Sequence, residues 1–454
     1  MKINWLPLAA AVALAAGSVS ASAVDFHGYF RAGAQLSTHG GEVYCLGNGN
    51  VGHKVGRLAD ECDTYGEGAL SQEVYNKANS KFTVNTLFAY GSTEGYRDLQ
   101  GNSWQGVGSD GPWGGQRLSF REMYAKYDTA DGYSIWAGKR FYQRKDIHIM
   151  DFYYLNNSGH GTGIENIDIG AGNLNFAVIK WANDGTDDYN RNVYKLDARW
   201  NAIPVGFGTL DASVIYGFPA ISDKQKDAAK DNPGANSGNS GVLLTLDHAS
   251  TVGNADGSFS LMNHLIFQWG TNGFGYVGTY GNHAGDNYTP DVDITGVRLI
   301  DWGTMDFGSD IDIGYSLFWS HLDNGKNHAK GATWTYTRSG WEYSIVVRPE
   351  YKWTEYTRTT LELGYSQMKT TDWVTVTDPI THTTKYDNPD AYKFTLAQQF
   401  TPGKGFWSRP AIRFYASYLG GKQFAHGWNT NYSEMNASGH NHQFTFGTQV
   451  EAWW

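Results

Sequence analysis

Long apolar runs are missing from this chain of 454 residues once its first two dozen residues are set aside. No stretch of about eighteen apolar residues remains, which excludes a helical membrane span. A mean hydropathy of −0.47 agrees. Positive charge is not in excess: the formal balance is −10, which gives no reason to expect a nucleic-acid partner. Proline is scarce, at 11 residues. Cysteine is scarcer still. Cys45 and Cys62 are the only two, and their closeness in a secreted chain predicts one local disulfide.

Enzyme signatures are missing as well. There is no GxSxG, no HExxH and no GxxxxGK[ST]. The pattern GxGxxG occurs at 47–52, 106–111 and 273–278, but none of the three has both a buried strand before it and a helix after it. With 56 glycines, chance matches are expected. His440 and His442 lack further ligands at useful spacing and read as loop histidines. Asp184, Asp187 and Asp188 read as a solvated acidic loop that leaves a structural Ca²⁺ open. No catalytic residue, cofactor or catalytic metal is expected.

What is present begins with a secretory leader. Lys2 supplies a basic start, 6–16 is apolar, and Ala21-Ser22-Ala23 is a small-residue cleavage site. Residues 1–23 are therefore expected to be removed, leaving 24–454 as one domain. Aromatic residues make up 15% of the chain, with 29 Tyr, 22 Phe and 17 Trp, which suits interfacial girdles and stacking surfaces.

The last eleven residues carry the clearest pattern. Phe444, Phe446, Thr448, Val450, Ala452 and Trp454 fall on one face of an extended strand. Thr445, Gly447, Gln449, Glu451 and Trp453 fall on the other. This period of two, with a different solvent on each side, is that of a transmembrane β-strand. The first residues repeat it: Asp25, His27, Tyr29 and Arg31 oppose Val24, Phe26, Gly28 and Phe30. Further alternating runs lie at 82–90, 176–181, 261–269, 343–353, 360–365, 392–398 and 406–418, separated by Gly/Asn/Asp/Ser-rich stretches. At roughly 9–11 residues per strand, there is room for roughly sixteen to eighteen strands and an aqueous lumen. Parity places Tyr29 with Arg31, Trp453 with Glu451, and Trp407 with Arg409 and Arg413 on inward faces.

The mature start Val24-Asp-Phe-His-Gly-Tyr29, the dense segment 136–154, and the stretches 163–170, 396–399, 407–413 and 445–454 resemble the maltoporin family of the outer membrane. The resemblance spans the mature chain, strongly in strands and weakly over about 91–118 and 182–345. It implies an all-β, eighteen-stranded antiparallel barrel, a third loop folded inward, and a homotrimer in outer-membrane lipid and lipopolysaccharide. It further implies passive diffusion of maltose and maltodextrins past a line of lumen aromatics. Matching positions are Tyr29, Tyr65, Trp407 and Trp453, a further one near Leu265 or Phe267 (Phe267 being preferred), and one contributed across the trimer, Trp104 or else Trp113. The polar constriction maps to Arg31, Arg57, Arg121, Arg144, Asp146, His148, Asp151 and Tyr153. Arg144 and Tyr153 favour this family over its sucrose-porin sister. Asn156 stands where the family has aspartate, which bears on the finer sugar preference. A broader saccharide porin, a general diffusion porin and a phage-receptor role for the external loops stay open. Aromatic rings suit the C–H face of a sugar, and Arg and Asp suit its hydroxyls.

Overall fold

The computed structural model describes residues 24–40, 43, 45, 53–61, 63–93, 105–106, 117–182, 192–223, 227, 239–281, 284–285, 294–308, 310–324, 339–370, 375–377, 380–382, 390–421 and 442–454. Eighteen strands form the wall: β1 Asp25–Ser37, β2 Asp63–Lys77, β3 Ser80–Thr93, β4 Arg117–Asp128, β5 Ser134–Arg140, β6 Gly159–Asp168, β7 Asn173–Ala182, β8 Asn192–Val205 and β9 Gly208–Ala220. They continue as β10 Gly241–Gly253, β11 Ser260–Thr271, β12 Ile294–Asp306, β13 Ile311–Asn324, β14 Gly340–Lys352, β15 Thr357–Thr370, β16 Asp390–Phe400, β17 Ala411–Gly420 and β18 His442–Trp453. Each pairs antiparallel with the next, and β18 pairs with β1 from Tyr29↔Trp453 to Ser37↔Thr445, so the sheet has no free edge. Odd-to-even connections are mostly long and even-to-odd ones short, which places the long loops outside the cell and the short turns in the periplasm.

The two-solvent alternation is realised strand by strand. On β16 and β17, Phe394, Leu396, Ile412 and Phe414 are exposed on the outer wall, while Lys393, Thr395, Gln399 and Arg413 are buried toward the lumen. The run at 406–418 is shorter than its alternation suggests, because strand β17 starts only at Ala411. Trp407 sits in the preceding turn, and Phe406 is not lipid-facing: it is buried inside the barrel, with its ring over Gly314. The run at 343–353 likewise ends at Lys352.

The apolar core lies inside the barrel. Val193, Ile215, Leu243, Ile266, Ile300, Phe318 and Val346 point inward from β8 to β14, one per strand. Against this stripe packs the third long loop, 141–158, through Ile147, Ile149, Met150, Phe152, Tyr154 and Leu155, as expected of an inward-folded loop. Its short hairpin pairs Lys145 with Leu155 and Ile147 with Phe152. Phe274, Val277, Tyr280 and Ala284, from the loop after β11, complete the cluster. Phe152 stacks on Tyr280 at 5.0 Å and meets Phe318 edge-on at 5.8 Å.

The first long loop enters from the opposite side. Lys54 pairs with Glu342 at 3.3 Å, Leu58 N–H donates to Glu362 at 2.9 Å, and Lys393 donates to the Leu58 carbonyl at 2.7 Å. Gly364 is required here, since a Cβ at that position would run into the Val55 carbonyl. Cys45 is buried and disulfide-bonded; its expected partner Cys62 lies outside the described residues, as do 1–23, Trp104, Trp113, Asp184, Asp187, Asp188 and His440.

Phe152→Ala should release the third loop without opening the wall. Loss of a fully buried aromatic costs about 3–5 kcal/mol. We expect unchanged sheet content by circular dichroism, a lower melting temperature and a larger, noisier single-channel conductance. Wild-type melting and conductance would show that the loop is held by other contacts.

Candidate functional site

The two inward loops meet β1 and β18 and there build a compact array of charge and aromatic rings. Arg31, on the inner face of β1, forks onto Asp63 at 2.9 and 2.8 Å and reaches Asp151 of the third loop at 2.8 Å and Glu61 at 3.1 Å. Arg57, from the first loop, bonds Glu61 and the Tyr29 hydroxyl, lies 3.0 Å from His148 Nδ1, and pairs with Glu451 at 3.0 Å. Bidentate guanidinium–carboxylate pairs of this kind fix orientation as well as charge.

Glu451 is the most connected carboxylate. It accepts from the Tyr29 hydroxyl at 3.1 Å, from Arg409 at 2.9 Å and from Arg413 at 2.8 Å, and it faces His148 at 3.1 Å. Nothing singled it out beforehand except its place on the polar face of β18, two residues from Trp453. Glu61, beside a cysteine in a loop, and Asp63, the first residue of β2, carry no periodic signal either.

The rings follow these charges. Tyr29 and Tyr65 have centroids 6.2 Å apart, and the Arg31 guanidinium lies 5.4 Å over Tyr65. His148 presents itself edge-on between Trp407 at 5.6 Å and Trp453 at 5.1 Å, and Arg409 covers Trp453 at 4.3 Å. Arg144 lies between the rings of Phe141 at 4.1 Å and Tyr153 at 4.5 Å. Asp146 is exposed on the same loop, and Arg121 is half-buried on β4. Tyr29, Tyr65, Trp407, Trp453, Arg31, Arg57, Arg144, His148, Asp151 and Tyr153 are thus brought together.

Phe267 is not among them. It pairs with Leu246 and Leu299 on the outer wall and is 36% exposed there, like Leu265. The lumen aromatic of this sector is Trp302, on the inward face of β12 with Arg298 and Ile300. It stacks on His264 at 4.8 Å and 9°. His264 bonds Asp247 at 2.9 Å, and Asp247 also holds Lys145 and Tyr154 of the third loop, each at 2.8 Å. Parity with Arg298 would have found it.

Burial alone would raise the Asp151 carboxyl, but Arg57 and Arg31 outweigh it and hold it well below the usual carboxylate range. Burial and then Arg57 push the His148 imidazole down, against the pull of Glu451. His53, Glu61 and Asp151 group their ligand atoms within 4.8 Å, but two arginines already occupy the carboxylates.

A closed antiparallel barrel with a lipid-suited outer wall and a lumen narrowed by two inward loops is a porin of the outer membrane, a channel and not an enzyme. The LamB porin family matches residues 24–454, and the chain belongs to that family of outer-membrane sugar porins. A maltoporin of Hahella chejuensis (strain KCTC 2396) is 33% identical over 459 residues, covering 99% of this chain and 97% of that protein. Among solved structures, a BenF-like porin from Pseudomonas fluorescens Pf-5 aligns at a TM-score of 0.48 and 10% identity, covering 95% of this chain and 99% of that one. OccAB1 of Acinetobacter baumannii aligns at 0.48 and 11%, covering 96% and 98%.

Two outcomes test the array. Trp407→Ala should weaken sugar block by up to about tenfold, the equivalent of about 0.5–1.5 kcal/mol for one lost stacking contact, with little change in ion conductance. Weaker folding with normal block would instead make Trp407 a structural residue. The second concerns pH. A carboxylate with a depressed pKa contributes stability above its unfolded value of about 3.9, lost only as pH falls through the lower folded value. A depressed imidazole stays neutral below its usual 6.5 or so. Sugar block should therefore pass through the ordinary imidazole range, about 6.5, without a break. A break near 6.5 that disappears in His148→Gln would show an ordinary imidazole.

Proposed function

We propose that the barrel works as a homotrimer and passes maltose and maltodextrins by passive diffusion along a line of lumen aromatics. One observation carries this reading: Tyr29 adjoins Tyr65, and His148 lies between Trp407 and Trp453, all beside the paired charges of Arg31, Arg57 and Asp151. Rings offer the apolar face of each glucose unit a shallow well, and arginine and aspartate meet its hydroxyl edge. A channel needs many weak, similar wells so that ligand can enter and leave. Unselective pores gain nothing from stacking.

The arrangement of Arg144 between Phe141 and Tyr153 supports the maltodextrin reading over a sucrose-type pore, because both Arg144 and Tyr153 are kept. Asn156 bears less on it. Its side chain is buried, it accepts from Ser158, and its backbone N–H donates to Ala284 at 2.8 Å. It supports the loop and does not face the path.

The test is current block in single channels of the reconstituted protein across maltose, maltoheptaose, sucrose and a non-sugar polyol. Block that strengthens from maltose to maltoheptaose is expected. Stronger block by sucrose would make it a sucrose-type pore, and no block by any sugar would leave a general diffusion porin. Cross-linking in detergent should yield trimers; monomers alone would reject that part.

A further inference from the structure

On the outer wall, Lys139 of β5 lies directly across from His160 of β6, and His160 lies directly across from Lys180 of β7. All three point away from the lumen. Their strand neighbours Arg140 and Ile179 point in: Arg140 stacks over the interior ring of Trp136, and Ile179 is fully buried. The row continues at the same level, with Lys180 opposite Tyr194 on β8 and Tyr194 opposite Phe218 on β9. Tyr194 and Phe218 stack at 5.9 Å. This is the level of an aromatic girdle, and it stands at the long-loop end of β5, β6 and β7, hence at the outer leaflet's headgroups.

Lys139 and Lys180 thus flank His160 in one cross-strand line, two ammonium groups with an imidazole between them. Among the described residues none of the three has a carboxylate partner; Lys139 donates to the Phe120 carbonyl at 2.8 Å. Below the line the wall turns apolar. Two residues deeper are Ala137, Thr162 and Val178, and four deeper are Ile135, Ile164 and Phe176. The small Ala137 and Thr162 lie between Ala125 and exposed Val178, and exposed Met123 stands opposite Lys139 at the level of the row. Cations at headgroup depth above a shallow apolar strip match one chemistry: a phosphate joined to acyl chains.

We propose that Lys139, His160 and Lys180 form a binding site for a phosphate-bearing lipid of the outer leaflet, with the phosphate bridging the three side chains and an acyl chain lying over Ala137 and Thr162. The anion meets both ammonium groups, and each lysine near an anionic surface strengthens binding by about fivefold. The test uses the full barrel in detergent, with bound lipid counted by native mass spectrometry. Diphosphoryl lipid A, its dephosphorylated form and inorganic phosphate are the probes. Wild type should hold the phosphorylated lipid, and the variant K139Q/H160Q/K180Q should hold it more weakly by on the order of twenty-five-fold, with its heat-modifiable mobility and sugar block unchanged. Should the triple variant fail to fold, Lys180→Gln alone should weaken binding about fivefold. Equal affinity in variant and wild type overturns the proposal. So does equal binding of the dephosphorylated lipid, or displacement of the lipid by inorganic phosphate at equal molar affinity.

Discussion

The structure depends on an apolar contact in an unusual place, the inner wall of the barrel. A barrel wall alone leaves a wide aqueous lumen, and backbone inside it is tolerated only where it is packed on protein or faces that water. Here seven consecutive strands each turn one aliphatic or aromatic residue inward, and the third loop lays Ile147, Ile149, Met150 and Phe152 onto that stripe. The loop is thereby a packed layer with a fixed shape. Everything polar that it presents, from Arg144 to Tyr153, takes its position from this apolar seat. The loop after β11 closes over it with Tyr280 and Phe274.

The charged half of the interior follows a different logic. Arg348 and Lys393 both meet Glu362, which also accepts from the first loop at Leu58. Such groups would be costly if left single, and they are joined in chains where each carboxylate serves several cations. Glu451 does the same beside the aromatic file. Its partners Tyr29 and Arg409 reach the rings of Tyr65 and Trp453, so the stacking surface and the ion-pair network are one assembly.

The wall was legible in the sequence wherever lipid and water met opposite faces of a strand, as in β1 and β18. It became illegible where both faces are apolar. In β11, Leu265, Ile266 and Phe267 are all apolar, because Ile266 faces the packed loops and its neighbours face lipid. Parity then carries no signal to correct the family resemblance, which points to Leu265 or Phe267 where the structure has Trp302. Alternation misled in the other direction at 406–410, where it runs on through a turn. Phe406 there occupies the interior core, and Trp407 reaches His148 from that turn. Contacts set by loop folding, such as Arg57 with His148 or Asp151 with Arg31, have no periodic trace. The resemblance names the residues that make them and not the contacts.

The seam between the first and last strands joins residues that are far apart in the chain, and Tyr29 stands opposite Trp453 in that seam. The same pairing brings the Tyr29 hydroxyl to Glu451. Wall and constriction therefore share a single point of completion. A chain in which β18 has not reached β1 has two open sheet edges, and in it Tyr29 and Arg57 lack the carboxylate of Glu451. An unfinished barrel of this kind is a leak without a filter. The constriction arrives with closure, because both are made by the same strand.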